Sequence, residues 1–213
     1  MKQPTTVQAL EDFGRTRLSK NFFMRDFLYS EIANFDRLQN IPTDPDLAIA
    51  AGKRLCVELL EPLNATFGRI AIRSSYRSEL VNGYGNDQQR DGKGAYKCAA
   101  NEKNFAHHIW DRRDQNGRMG ATACIVIPWF ADRYESGADW RSLAWWIHDH
   151  LPYSSMYFFP KLCAFNLQWR EAPERRIESY IEPRGILTKL ADDGQDMSHQ
   201  KLYEGFPELK MGN

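Results

Sequence analysis

The chain of 213 residues has four cysteines, no charge excess and no long apolar run. Cys56, Cys98, Cys124 and Cys163 are far apart and form no CxxC pair, and three of them sit in apolar surroundings and read as small core residues. Lys plus Arg equals Asp plus Glu, 28 against 28, so there is no long-range field to draw the chain onto nucleic acid or an anionic bilayer. No segment approaches the ~18 apolar residues of a spanning helix, and the N-terminal residues Met1 to Thr6 open no signal peptide. The glycine-rich phosphate loops GxGxxG and GxxxxGK are absent, as are internal repeats. These absences lead us to expect a cytoplasmic protein without nucleic-acid or membrane partners, its cysteines reduced.

What is present is a globular mix, 42% hydrophobic and 26% charged, in a length that suits one domain over 1–213. Aromatic residues make up 13% and cluster between Trp129 and Trp169, as a thick core or an aromatic-walled cleft. Phe23, Phe27, Leu28, Ile32 and Phe35 recur at helical spacing and predict a helix over 24–33. Asp44 followed by Pro45 reads as a cap and first-turn proline. The next helix carries Leu47, Ala51, Leu55, Leu59 and Leu63 on one face, with Pro62 to end or kink it and Gly68 at the stop. Strands are expected at Arg69–Arg73, Gly120–Pro128, Met156–Phe159, Ala164–Trp169 and Arg176–Ile181, with Glu171–Glu174 as a hairpin loop between the last two. A helix over Asp139–His150 is expected to bury Leu143, Trp146 and Ile147. The Gly, Asn, Asp and Gln composition of Asn82 to Gly94 predicts a surface loop. Helices first and strands after them imply α+β, a small and largely antiparallel sheet with N-terminal helices packed on it. The core is expected over 18–190, followed by a polar tail docked through Leu202, Tyr203 and Phe206.

The richest polar segment is Asn104 to Asp114, with His107, His108, Asp111 and Asp114, followed by Cys124 on the central strand. Imidazole, carboxylate and thiolate are the donors that hold Zn²⁺, which makes His108, Cys124, Asp111 and Asp114 candidate metal ligands. The same residues also read as a packed histidine, a solvated charge cluster and a core thiol.

The segments Leu18–Phe22, Glu61–Leu63 and Phe67–Ser78, with Ser75-Tyr76-Arg77-Ser78 the most recognisable part, resemble the D-alanyl-D-alanine carboxypeptidase-like zinc peptidases. That resemblance implies the small α+β fold shared with the hedgehog signalling domain. It also implies a zinc-activated water, a first ligand at His108 and a substrate-holding Arg77. Where the family has Asp this chain has Cys124, where it has Trp-His this chain has Trp169-Arg170, and Leu167 stands in place of the general base. Arg170 as a cation cannot bind zinc and Leu167 cannot take a proton. Two readings follow. One is a metal-dependent peptidase or amidase acting on a small cell-wall-type peptide, with a rebuilt third ligand, Arg77 at the oxyanion and Glu171 or Asp111 as base. The other is a degenerate member in which Arg73, Arg77 and Arg170, with Tyr76, clamp a carboxylate-bearing ligand or a protein partner.

Overall fold

In a computed structural model, described for residues 1–188 and 199–212, the chain forms a six-stranded sheet with helices around it. The helices are α1 (Val7–Gly14), α2 (Glu31–Phe35), α3 (Pro45–Leu55), α4 (Glu61–Phe67), α5 (Glu79–Arg90), α6 (Asn101–Asn104), α7 (Pro128–Glu135) and α8 (Trp140–His150). The strands are β1 (Ala71–Ser74), β2 (Gly120–Val126), β3 (Ser155–Phe158), β4 (Phe165–Arg170), β5 (Arg176–Ser179) and β6 (Gly185–Ile186). Their order across the sheet is β1-β2-β4-β3-β5-β6, and all neighbours are antiparallel except β3 with β5. The architecture is therefore α+β with a mixed, mostly antiparallel sheet. Among the described residues no helix is long and apolar enough to cross a membrane.

Strand alternation divides the sheet into two chemically different faces. Ala121, Ala123 and Ile125 of β2, Phe165, Leu167 and Trp169 of β4, and Met156 and Phe158 of β3 point into the main core. Helix α3 packs on this side against β2 and β4, and Trp140 of α8 lays its ring 5.0 Å from that of Phe158. Leu55, Leu59 and Leu63 are fully buried, each a contribution of about 1.5–3 kcal/mol. The other face carries Thr122, Cys124, Asn166, Gln168, Arg170, Ser155 and Tyr157.

Asp44 caps α3 by accepting from Leu47 N at 3.0 Å, with Pro45 in the first turn, as its sequence predicts. Pro62 does not end this helix. A widened π turn over Cys56–Leu60 shifts the hydrogen-bond register just before it, so that Pro62 sits in the first turn of α4, where its missing N–H costs little. The helix then stops at Gly68, whose φ of 81° is open to glycine.

Four further sequence expectations are corrected. The helix predicted over 24–33 is a 3₁₀ turn, Met24–Phe27, then a break before α2, because Ser30 caps a new helix by accepting from Ala33 N. The polar stretch predicted as a loop from Asn82 is mostly helix α5. Ser78 caps it, and it buries Val81, Asn82 and Gly85 despite its polar, glycine-containing composition. Glu171–Glu174 is no hairpin loop, since β3 lies between β4 and β5. The core also begins earlier than residue 18, with Phe13 buried at the end of α1. Beyond Lys189 the expected polar tail falls partly outside the described residues. Leu202, Tyr203 and Phe206 do pack against the main core.

Candidate functional site

The polar face of the sheet is crossed by the segment between α6 and β2, which holds both central histidines. Gln168 Nε2 donates to Ala106 O at 3.0 Å, fixing the segment over β4. Gly120 permits the close approach: a Cβ there would lie 2.2 Å from Ala106 O. The turn after β1 meets the segment from the other side. Ser75 Oγ donates to Thr122 O at 2.9 Å and Arg77 N donates to His108 O at 2.9 Å. Asn40 locks the same turn, accepting from Ser78 N at 2.7 Å and donating to Tyr76 O at 2.9 Å.

Between these elements lies a cleft of about 230 Å³, lined by residues that include Arg73, Arg77, Lys97, His108, Cys124 and Asn166, with Tyr29, Glu31 and Phe159 at its sides. Its floor is the sheet: Cys124 is opposite Asn166 across β2 and β4, and Ser74 of β1 is opposite Cys124. His108 Nδ1 lies 2.8 Å from Ser75 O. A carbonyl only accepts, so Nδ1 carries the proton and Nε2 keeps its lone pair. Burial holds the His108 pKa well below the usual imidazole value, helped by the charge of Arg77 and by His107. Neutral His108 is thus an acceptor at the cleft. Burial pushes the Cys124 thiol up to about 11, opposed by the nearby charge of the Arg73 guanidinium. Arg77 Nη1 donates to Cys98 Sγ at 2.8 Å, which holds its head group in place.

Arg73, Arg77, His108 and Cys124, all singled out in the sequence, meet in this cleft. Tyr76 and Asp111 meet each other elsewhere, inside the protein. Tyr76 Oη donates to Asp111 Oδ1 at 3.0 Å, and Thr43 donates to Oδ2 from its backbone N at 2.7 Å and from Oγ1 at 3.0 Å. A third cluster forms at the far end of β4. Arg170 donates to Asp114 at 2.9 Å and to Glu174 at 2.7 Å, while Glu171 accepts from Met119 N at 2.7 Å. Burial would raise the Asp114 pKa, but the N–H groups of Arg118 and Asn116 and the nearby Arg170 hold it below the usual carboxylate value. Arg170 is paired with carboxylates of its own, and four strand residues, about 13 Å, separate it from Asn166. It does not line the cleft with Arg73 and Arg77.

Lys97 joins the cleft without having been picked out in the sequence, and Ser75, read there only as part of the Ser75-Tyr76-Arg77-Ser78 segment, and Asn166 join it too. Asn166 had a signal, the polar alternation Asn166, Gln168, Arg170. Lys97 had none, since only the path of the chain between α5 and α6 brings it there.

The donors offered to a metal are the imidazole of His108, the thiol of Cys124, the carboxamide of Asn166 and the carboxylate of Glu31, beside the cations Arg73, Arg77 and Lys97. Among the described residues no three His, Cys, Asp or Glu side chains gather as a ligand set. This donor set fits a divalent cation poorly, since the thiol is held protonated and the adjacent cations repel the charge. No family model, curated protein sequence or solved structure matches the chain.

Proposed function

We propose that the cleft binds a small peptide through its carboxylate, in a catalytically degenerate relative of the D-alanyl-D-alanine carboxypeptidase-like fold. The observation that carries this reading is the lining of the cleft, where Arg73, Arg77 and Lys97 meet one carboxylate, Glu31. A carboxylate there makes charge-assisted hydrogen bonds, each about 1.5–3 kcal/mol. The neutral His108 accepts a peptide N–H through Nε2, so the site recognises an anion and a donor together. Four unpaired, buried cysteines support a cytoplasmic setting.

The test is titration calorimetry with Ala-Ala-Ala and its C-terminal amide. The acid is expected to bind at least about tenfold more tightly, as loss of one charge-assisted bond implies. Arg77→Gln, and separately Arg73→Gln, should shrink that difference. Equal binding of acid and amide would sink the reading. Zinc-dependent cleavage of the peptide would instead support a peptidase with His108 and Cys124 as ligands.

A further inference from the structure

We infer that the cleft continues into a second subsite, an aromatic shelf of Tyr157, Phe159 and Tyr180 that takes the aromatic side chain of a short extended peptide. The inference rests on the carboxylate-binding reading and adds the identity of the peptide's other end.

One row of residues crosses the polar face of the sheet. Ser74 is opposite Cys124, Cys124 opposite Asn166, Asn166 opposite Tyr157 and Tyr157 opposite Glu178. Neighbouring strands lie about 4.8 Å apart, so Tyr157 is about 10 Å from Cys124 along the same floor. Phe159 joins the two regions. It lines the cationic cleft and packs on the cluster of Cys124, Val126, Ala131 and Ala164. Its ring centroid is 5.5 Å from that of Tyr157 and 5.9 Å from that of Tyr180. Tyr157 and Tyr180 meet edge to face at 4.8 Å. Tyr180 remains 55% exposed, although it stands among aromatic rings. A tilted three-ring group with one open face offers both face and edge to another ring.

The spacing sets the size of the ligand. An extended peptide rises about 3.3 Å per residue, so ~10 Å separates a C-terminal carboxylate from a side chain two or three residues before it. The carboxylate lies above Cys124, where the side chains of Arg73 and Arg77 line the cleft, a backbone N–H reaches His108 Nε2, and the aromatic ring lies above Tyr157, against the Tyr180 ring beside it.

The probes are Phe-Ala-Ala, Ala-Ala-Ala and the C-terminal amide of Phe-Ala-Ala, titrated against the full chain. Phe-Ala-Ala is expected to bind about three- to tenfold more tightly than Ala-Ala-Ala, the range of one added aromatic contact. In Tyr180→Ala the two acids should bind alike, and Phe159→Leu should narrow the difference through a second position. Two results overturn the shelf while leaving the carboxylate reading in place: no preference for Phe-Ala-Ala in the unaltered chain, or a preference that survives Tyr180→Ala. Equal binding of Phe-Ala-Ala and its amide, or no binding of either, overturns both readings.

Discussion

Cys124 and Asn166 stand opposite each other on β2 and β4, and both line the cleft beside His108. The resemblance to zinc peptidases places the third ligand at Arg170, but strand register makes Asn166 the β4 residue next to Cys124. The two positions lie at opposite ends of one strand.

That relationship predicts which substitution creates a metal site. Asn166→His would place a second imidazole beside His108 and Cys124, two residue types that bind Zn²⁺ as His and thiolate. Added zinc at about 100 times its Kd would stabilise the variant by about 2.7 kcal/mol, a rise in Tm of roughly 5–10 °C. Arg170→His combined with Asp114→Asn and Glu174→Gln, which removes the carboxylates that would themselves hold zinc there, should show no such rise, because His108 and Cys124 do not surround that position. Thermal melts of both variants with and without zinc decide it, and an equal response from the two would defeat the register argument.

Asp111 should govern stability and not ligand affinity. It is buried and accepts from Thr43 and Tyr76, so Asp111→Ala leaves those donors unpaired. We expect a loss of about 3–5 kcal/mol, and about 1–2 kcal/mol for Tyr76→Phe. Urea unfolding measures both. A drop in peptide affinity without a drop in stability would place Asp111 in the site instead.

Stability should fall on mild acidification. Burial, with the charges of Arg77 and Arg170, pushes His107 down to about 3, and burial likewise lowers His108. An imidazole lowered on folding takes up its proton first in the unfolded chain. The contribution is therefore flat above pH ~6.5 and turns against folding as pH drops from there toward the folded values, by up to about 1.4 kcal/mol per pH unit for each ring. Urea midpoints at pH 7, 6 and 5 should decline, and His108→Gln should flatten the decline. An unchanged slope in that variant would mean that His108 is charged in the fold.

Helix α8 with its Asp139 cap, the start of α3 at Asp44 and Pro45, and the apolar strand β2 follow from local chemistry, and all three were legible in the sequence. So was the alternation of β4, with Leu167 and Trp169 in the core and Asn166 and Arg170 on the polar face. Helix α5 was not legible, because its Gly, Asn, Asp and Gln residues give it the low mean hydropathy and the composition of a loop. It is held by contacts from distant chain, such as Gly85 against Cys98 and Ile32, where a Cβ would lie 2.7 Å and 2.9 Å from the nearest atoms.

Of the candidate site, the residue types were visible and their grouping was not. The sequence alone determined that His108, Cys124, Arg73 and Arg77 carry usable chemistry, because donors, charges and their spacing are properties of the chain. Only the tertiary structure decided that these four share a cleft with Lys97 and Asn166, that Asp111 is committed to Tyr76 and Thr43, and that Arg170 pairs with Asp114. The physical reason is register. On a sheet, cross-strand neighbours about 5 Å apart come from positions tens of residues away, and a shift of a few residues along one strand moves a side chain to another site.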